Sequence, residues 1–156
     1  MKPIWKIIIA VVVCLAIGSL SGLATMDAID GWYATINKPS FNPPNWVFGP
    51  AWTLLYILMG IAAGLVWKAG WERKEVRTAL AVFGVQLLLN GLWSIIFFTL
   101  ESPIWALVEI LVLLMFIVLT IILFRHINTA AAYLLVPYLL WVSFATVLTA
   151  SILYLN

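Results

Sequence analysis

Apolar side chains run through four stretches that contain no Asp, Glu, Lys or Arg: residues 7–26, 39–67, 79–100 and 130–156. A fifth stretch, 104–124, holds a single carboxylate, Glu109. Each is long enough for the roughly 20 residues that cross a bilayer as a helix. Barrel strands would instead show segments of about ten residues alternating apolar with polar. The pattern therefore predicts an all-α integral membrane protein, a single five-helix transmembrane domain over residues 1–156 with spans at about 4–24, 46–67, 79–100, 104–124 and 130–155. Lys2 and Lys6 ahead of the first run resemble the start of a secretory leader. The run is too long for one and lacks a convincing small-residue cleavage site, so a retained helix is expected.

Composition agrees: 65% of residues are hydrophobic and 9% charged, against about 45–50% and 25% in soluble domains. Soluble enzymes and disordered chains are excluded. A net charge of +2, with no basic run beyond Arg73, Lys74 and Arg77, leaves no electrostatic footprint for nucleic acid. One cysteine, Cys14, allows no internal disulfide, and no Cys/His spacing provides metal ligands, so no metal site is expected. With sides alternating along five spans, Lys2, Lys6, Lys68, Arg73, Lys74, Arg77 and Arg125 fall on one side and only Lys38 on the other. The positive-inside rule then puts the N-terminus in the cytoplasm, and the first loop and C-terminus outside; a bacterial cytoplasmic membrane is the expected setting.

The loop at 25–45 carries Trp32-Tyr33 and the run Lys38-Pro39-Ser40-Phe41-Asn42-Pro43-Pro44-Asn45. Its prolines fix φ and push their predecessors toward extended backbone, giving a defined path over the helix ends. That path is either a structured lid or an interfacial loop whose aromatics sit at headgroup level.

Within the spans, Gln86, Asn90 and Ser94 recur every fourth residue on one face of span three, beside Trp93 and Phe97. An unpartnered amide in hydrocarbon costs several kcal/mol, of order 2–7, so this face meets protein or water. Interhelical hydrogen bonding and a ligand pocket both satisfy it. Glu109 is either functional, as intramembrane ionisable groups are by default, or a hydrated or capping carboxylate near the start of span four. Phe48, Trp52 and Tyr56 form an aromatic row in span two, and Pro137, Trp141 and Ala145 a matching row in span five. Such rows serve packing or line a ligand box. Gly18-x-x-x-Gly22 and Gly60-x-x-x-Gly64 permit close helix approach within a chain or between chains. His126, the only histidine, reads as a solvated loop residue, and Cys14 as a packing residue.

Several motifs together resemble the translocator protein or tryptophan-rich sensory protein (TspO/MBR) family over nearly the whole chain. They are Trp32-Tyr33, Lys38-Pro39-Ser40, Pro43-Pro44, Trp46-Val47-Phe48-Gly49-Pro50 with Trp52 and Tyr56, and Gln86 and Asn90 with Trp93 and Phe97-Phe98. Trp105-Ala106-Leu107-Val108, and Pro137-Tyr138 with Trp141, Phe144 and Ala145, complete the set. The resemblance implies a five-helix bundle, expected as a homodimer, with a cavity below the first loop that binds tetrapyrroles such as protoporphyrin IX. Carried over by position, Tyr33, Pro43 and Pro44 would form the lid, and Trp52, Gln86, Asn90, Trp93, Trp105, Trp141 and Phe144 would line the cavity.

Phe41 stands where many members have Trp, Glu109 where Asp is common, and Thr149 where Asn is frequent. The chain stops at Asn156 without the basic tail that completes the cholesterol motif of animal members, itself a weak pattern, which ranks porphyrin above cholesterol. The expected function is a receptor or sensor that captures a tetrapyrrole as ligand, with no obligatory cofactor. Two rivals remain. One is light-dependent porphyrin breakdown, in which Trp52 and Trp141 would be the catalytic residues. The other is porphyrin transport, for which no inverted repeat or pair of broken helices speaks. No nucleophile–base pair supports hydrolysis.

Overall fold

All five expected spans are helical in the computed structural model, which describes residues 1–156, and these five helices are long and apolar enough to cross a membrane. The order is α1 (Pro3–Asp30), α2 (Trp32–Thr35), α3 (Asn45–Trp67), α4 (Lys74–Ser94), α5 (Pro103–Arg125), α6 (Thr129–Leu134) and α7 (Val136–Leu155). The chain is an all-α integral membrane protein.

Helix ends follow local chemistry. Pro3 and Pro103 sit in the first turns of α1 and α5, where a missing N–H costs nothing and the fixed φ suits the helix. The Ser102 hydroxyl caps α5 by accepting from the Trp105 N–H at 3.4 Å, and Asn128 Oδ1 caps α6 by accepting from the Ala131 N–H at 3.0 Å. The fifth span is divided at Leu135, two residues before Pro137, whose ring and absent N–H interrupt a helix. α1 continues past residue 24 to Asp30, because nothing before Gly31 breaks it. Much of the expected 25–45 loop is thus helical, and only residues 36–44 connect α2 to α3 without helix. α4 ends in a wide π-helical turn, Ile95–Thr99, closed by the Leu100 N–H on the Ile95 carbonyl at 2.9 Å.

α1 and α3 pack most intimately, and the glycines explain how. A Cβ on Gly60 or Gly64 would run into the backbone of Val11 or Ile7, and one on Gly18 into the Tyr56 ring. These glycines are therefore used within the chain, joining α1 to α3. α5 packs between α4 and α7, while α3 meets the fifth span mainly through α6 and hardly touches α7. The bundle is closed at the α6 end. At the end near residues 31–44, α3 and α7 splay apart and leave an internal space. The large core is built from Met59, Val66, Phe83, Leu113 and Phe124 and their neighbours, with Phe83 stacked on Phe124 at 5.8 Å.

Candidate functional site

The space between the splayed helices is a cavity of about 290 Å³. α3 supplies Phe48, Trp52 and Tyr56, and α7 supplies Trp141, Phe144 and Ala145. The two aromatic rows converge: Trp141 meets Phe48 edge-on at 6.1 Å and Trp52 at 6.3 Å, and Trp52 stacks on Tyr56 at 5.7 Å. Trp93 of α4 and Phe97 of the π-helical turn that follows it, stacked at 5.1 Å, form a third wall. The fourth comes from α1 through Gly18, Ser21, Gly22 and Thr25. Three of these residues lack bulk, and Ser21 and Thr25 spend their hydroxyls on the Gly91 and Ser21 carbonyls. The wall is thus smooth and nearly free of unpaired polar groups.

Tyr33 closes the cavity from above. Its ring packs edge-on against Phe97 and Phe98 at 6.1 and 5.2 Å, and its hydroxyl donates to Asn42 Oδ1 at 3.0 Å. Burial pushes the Tyr33 hydroxyl above its ordinary pKa, which keeps it a donor. Lys38 Nζ donates to the Tyr33 and Ile36 carbonyls at 2.8 and 3.2 Å and lies 4.8 Å above the Tyr33 ring. Phe41 reaches the opposite wall, edge-on to Phe144 at 6.2 Å. The Asn37 N–H and Nδ2 donate to Asn156 Oδ1 and the Leu155 carbonyl, and Asn156 Nδ2 donates back to the Asn37 carbonyl at 2.8 Å. The loop is therefore tied to α2, α4 and α7 together.

Beneath the cavity runs a buried polar chain. The Tyr56 hydroxyl donates to Asn90 Oδ1 at 2.5 Å, Asn90 Nδ2 donates to the Tyr138 hydroxyl at 2.8 Å, and that hydroxyl donates to Gln86 Oε1 at 2.7 Å. Three helices are linked at a depth where an unpaired group would be costly.

The candidate residues are thus sorted by position. Tyr33, Trp52, Trp93, Trp141 and Phe144 meet around the cavity. Gln86 and Asn90 lie below its floor, reaching it only through Tyr56, because Tyr56 and Tyr138 intervene. Pro43 and Pro44 shape the loop without forming the wall; Asn45 is the nearest loop-side residue that does. Trp105 departs from the expected placement: it is 65% exposed on the outer side of α5, since the buried face of that helix is the one through Ala106, Glu109 and Ile110. Glu109 is buried, and neither of its carboxylate oxygens has a partner.

The α1 wall and the part of Tyr138 lie outside the faces that the sequence pattern marks. Ser21 and Thr25, one turn apart beside Gly18-x-x-x-Gly22, were the available signal.

The TspO/MBR family model matches residues 10–155. The chain belongs to the TspO/MBR family. This TspO/MBR chain is 44% identical over 155 residues to the tryptophan-rich protein TspO of Chlorobaculum tepidum, covering 99% of this chain and 98% of that one. It is 44% identical over 154 residues to the protein of the same name from Archaeoglobus fulgidus, covering 98% of each. It is also similar to the human translocator protein, at 42% identity over 119 residues, 75% of this chain and 70% of that one.

Proposed function

We propose that the cavity under the first loop binds a tetrapyrrole of the protoporphyrin IX type, and that the protein acts as a membrane receptor or sensor for it. The observation that carries this reading is the convergence of the Trp52 and Trp141 rows with Trp93 on one space beneath Tyr33. Broad indole faces suit a flat apolar macrocycle. Lys38 at the rim is the cation closest to where ligand carboxylates would emerge.

A volume of about 290 Å³ lies at the lower end of the range of about 300–1,000 Å³ usual for ligand pockets. A macrocycle therefore enters with the first loop lifted, and the contacts of Tyr33, Phe41 and Asn37 are what its binding must displace or rearrange. Titration of purified protein with protoporphyrin IX in darkness tests the reading. Saturable one-site binding that Trp141→Phe weakens supports it, and absence of saturable binding overturns it.

A second reading has its own support. Trp52 and Trp141 touch, and Trp52 stacks on Tyr56, an arrangement suited to passing an oxidising equivalent away from a light-excited ligand. Illumination of the loaded protein, followed by mass spectrometry, separates light-dependent breakdown from binding alone.

A further inference from the structure

On the outer flank of the bundle lies a separate groove of about 510 Å³, lined by Ile96, Leu100, Ser102, Trp105, Val108 and Glu109. None of these residues borders the cavity under the first loop. Leu100, Trp105 and Val108 are exposed, so the groove opens sideways onto the surface that meets lipid. Ile96 comes from the π-helical turn Ile95–Thr99 that ends α4; wide turns of this kind recur at functional sites.

Glu109 lies at the inner end. It is 8% exposed, and both carboxylate oxygens are buried without a hydrogen-bond partner. No cation pairs with it: the protein's one ion pair joins Arg73 to Glu75, and neither carboxylate oxygen has any partner. An ionised carboxylate is an acceptor only, and a charge left unpaired at this depth is costly. Trp105, one helical turn earlier at the outer rim, adds an indole face, which attracts cations.

We infer that this groove is a second binding site, and that it takes a lipophilic amine: one apolar chain or ring system carrying one protonated nitrogen. The nitrogen passes the Trp105 ring and pairs with Glu109, while the apolar body lies along Leu100 and Val108 toward the lipid. Such an amine is either a free amphiphile or the headgroup of an amino-phospholipid.

The test uses a long-chain primary amine carrying a photoreactive diazirine, and the matched alcohol, added to the full-length protein in phosphatidylcholine vesicles. Labelling is mapped by peptide mass spectrometry. The amine is expected to label residues 95–109 about tenfold more than the alcohol, the factor expected for one charge-assisted hydrogen bond. Glu109→Gln, which keeps the shape and removes the charge, is expected to abolish that preference without shifting the melting temperature; Glu109→Leu serves as a second variant with the same expectation for labelling. Phosphatidylethanolamine in the vesicles distinguishes the sources: competition assigns the site to a lipid headgroup, and no competition to a free amphiphilic amine. Equal labelling by amine and alcohol, unchanged preference in Glu109→Gln, or labelling confined to the cavity peptides would overturn the proposal. So would photo-crosslinks showing a second copy of the chain seated on the groove. Because the groove and the cavity share no residue, this outcome is independent of porphyrin titration.

Discussion

Asn90 holds two tyrosines at once, accepting from Tyr56 and donating to Tyr138. Replacing it with leucine leaves the buried Tyr56 hydroxyl without its acceptor, a loss of about 1–3 kcal/mol by the usual cost of an unsatisfied group, reduced toward about 0.6 kcal/mol if the unfolded chain finds partners within the membrane. Asn90→Leu is therefore expected to lower thermal stability in detergent measurably while weakening porphyrin affinity less, since Asn90 does not touch the cavity. A variant with unchanged melting temperature but abolished binding would place the amide in the ligand site instead. The glycines divide in the same way. Gly60→Ala forces a Cβ against the Val11 backbone, whereas a side chain at Gly22, where nothing lies within 4 Å of the added Cβ, grows into the cavity. Overpacking of this kind costs about 1–3 kcal/mol. Gly60→Ala should thus lose stability, and Gly22→Leu should keep its melting temperature but lose ligand. Equal effects on both properties in the two variants would contradict this assignment.

At the level of elements, the first loop is held by Tyr33 on the π-helical turn after α4, Phe41 on α7 and Asn37 on Asn156. Pro39, Pro43 and Pro44 restrict what the loop does when those contacts break. Each proline-to-glycine change adds about 0.4–1 kcal/mol of conformational freedom to a released chain. The double variant Pro43→Gly with Pro44→Gly is expected to release ligand up to about tenfold faster, with association changed less. Stopped-flow release measured at wild-type rate would assign the prolines to the membrane interface rather than to closure. The loop's rigidity was legible in its prolines. Its shortness was not, because α1 runs past the apolar stretch to Gly31 on helix propensity and tertiary contact rather than on hydrophobicity.

For the molecule as a whole, seven of the 8 Lys and Arg residues cluster at the end opposite the first loop, leaving Lys38 alone at the cavity end. We expect that end to face away from the cytoplasm. Cysteines introduced at Thr78 and Ser40, with Cys14 replaced by alanine, test this with an impermeant thiol reagent in intact cells: position 40 should label and position 78 should not, and the reverse result would invert the topology. By spacing alone, the small-residue motifs fit an interface within one chain or between chains. With Gly18, Gly60 and Gly64 already packed between α1 and α3, a homodimer must use other surfaces, and we propose it as the assembly on family grounds alone.

The length of the apolar runs determined five membrane helices, and i, i+4 spacing determined the polar face of α4 and the two aromatic rows, because a bilayer imposes length and polarity rules that act residue by residue. The sequence motifs also identified the family. Rotation and splay about the helix axes were decided only in three dimensions. Close α1–α3 packing at glycines, with α3 and α7 parting above α6, turns Trp52 toward Trp141 and sends Asn90 and Gln86 to the tyrosines below. It also leaves Trp105 outside and Glu109 unpartnered in a groove of its own. Spacing along one helix states which side chains share a face; which neighbour that face meets depends on contacts between residues far apart in the chain.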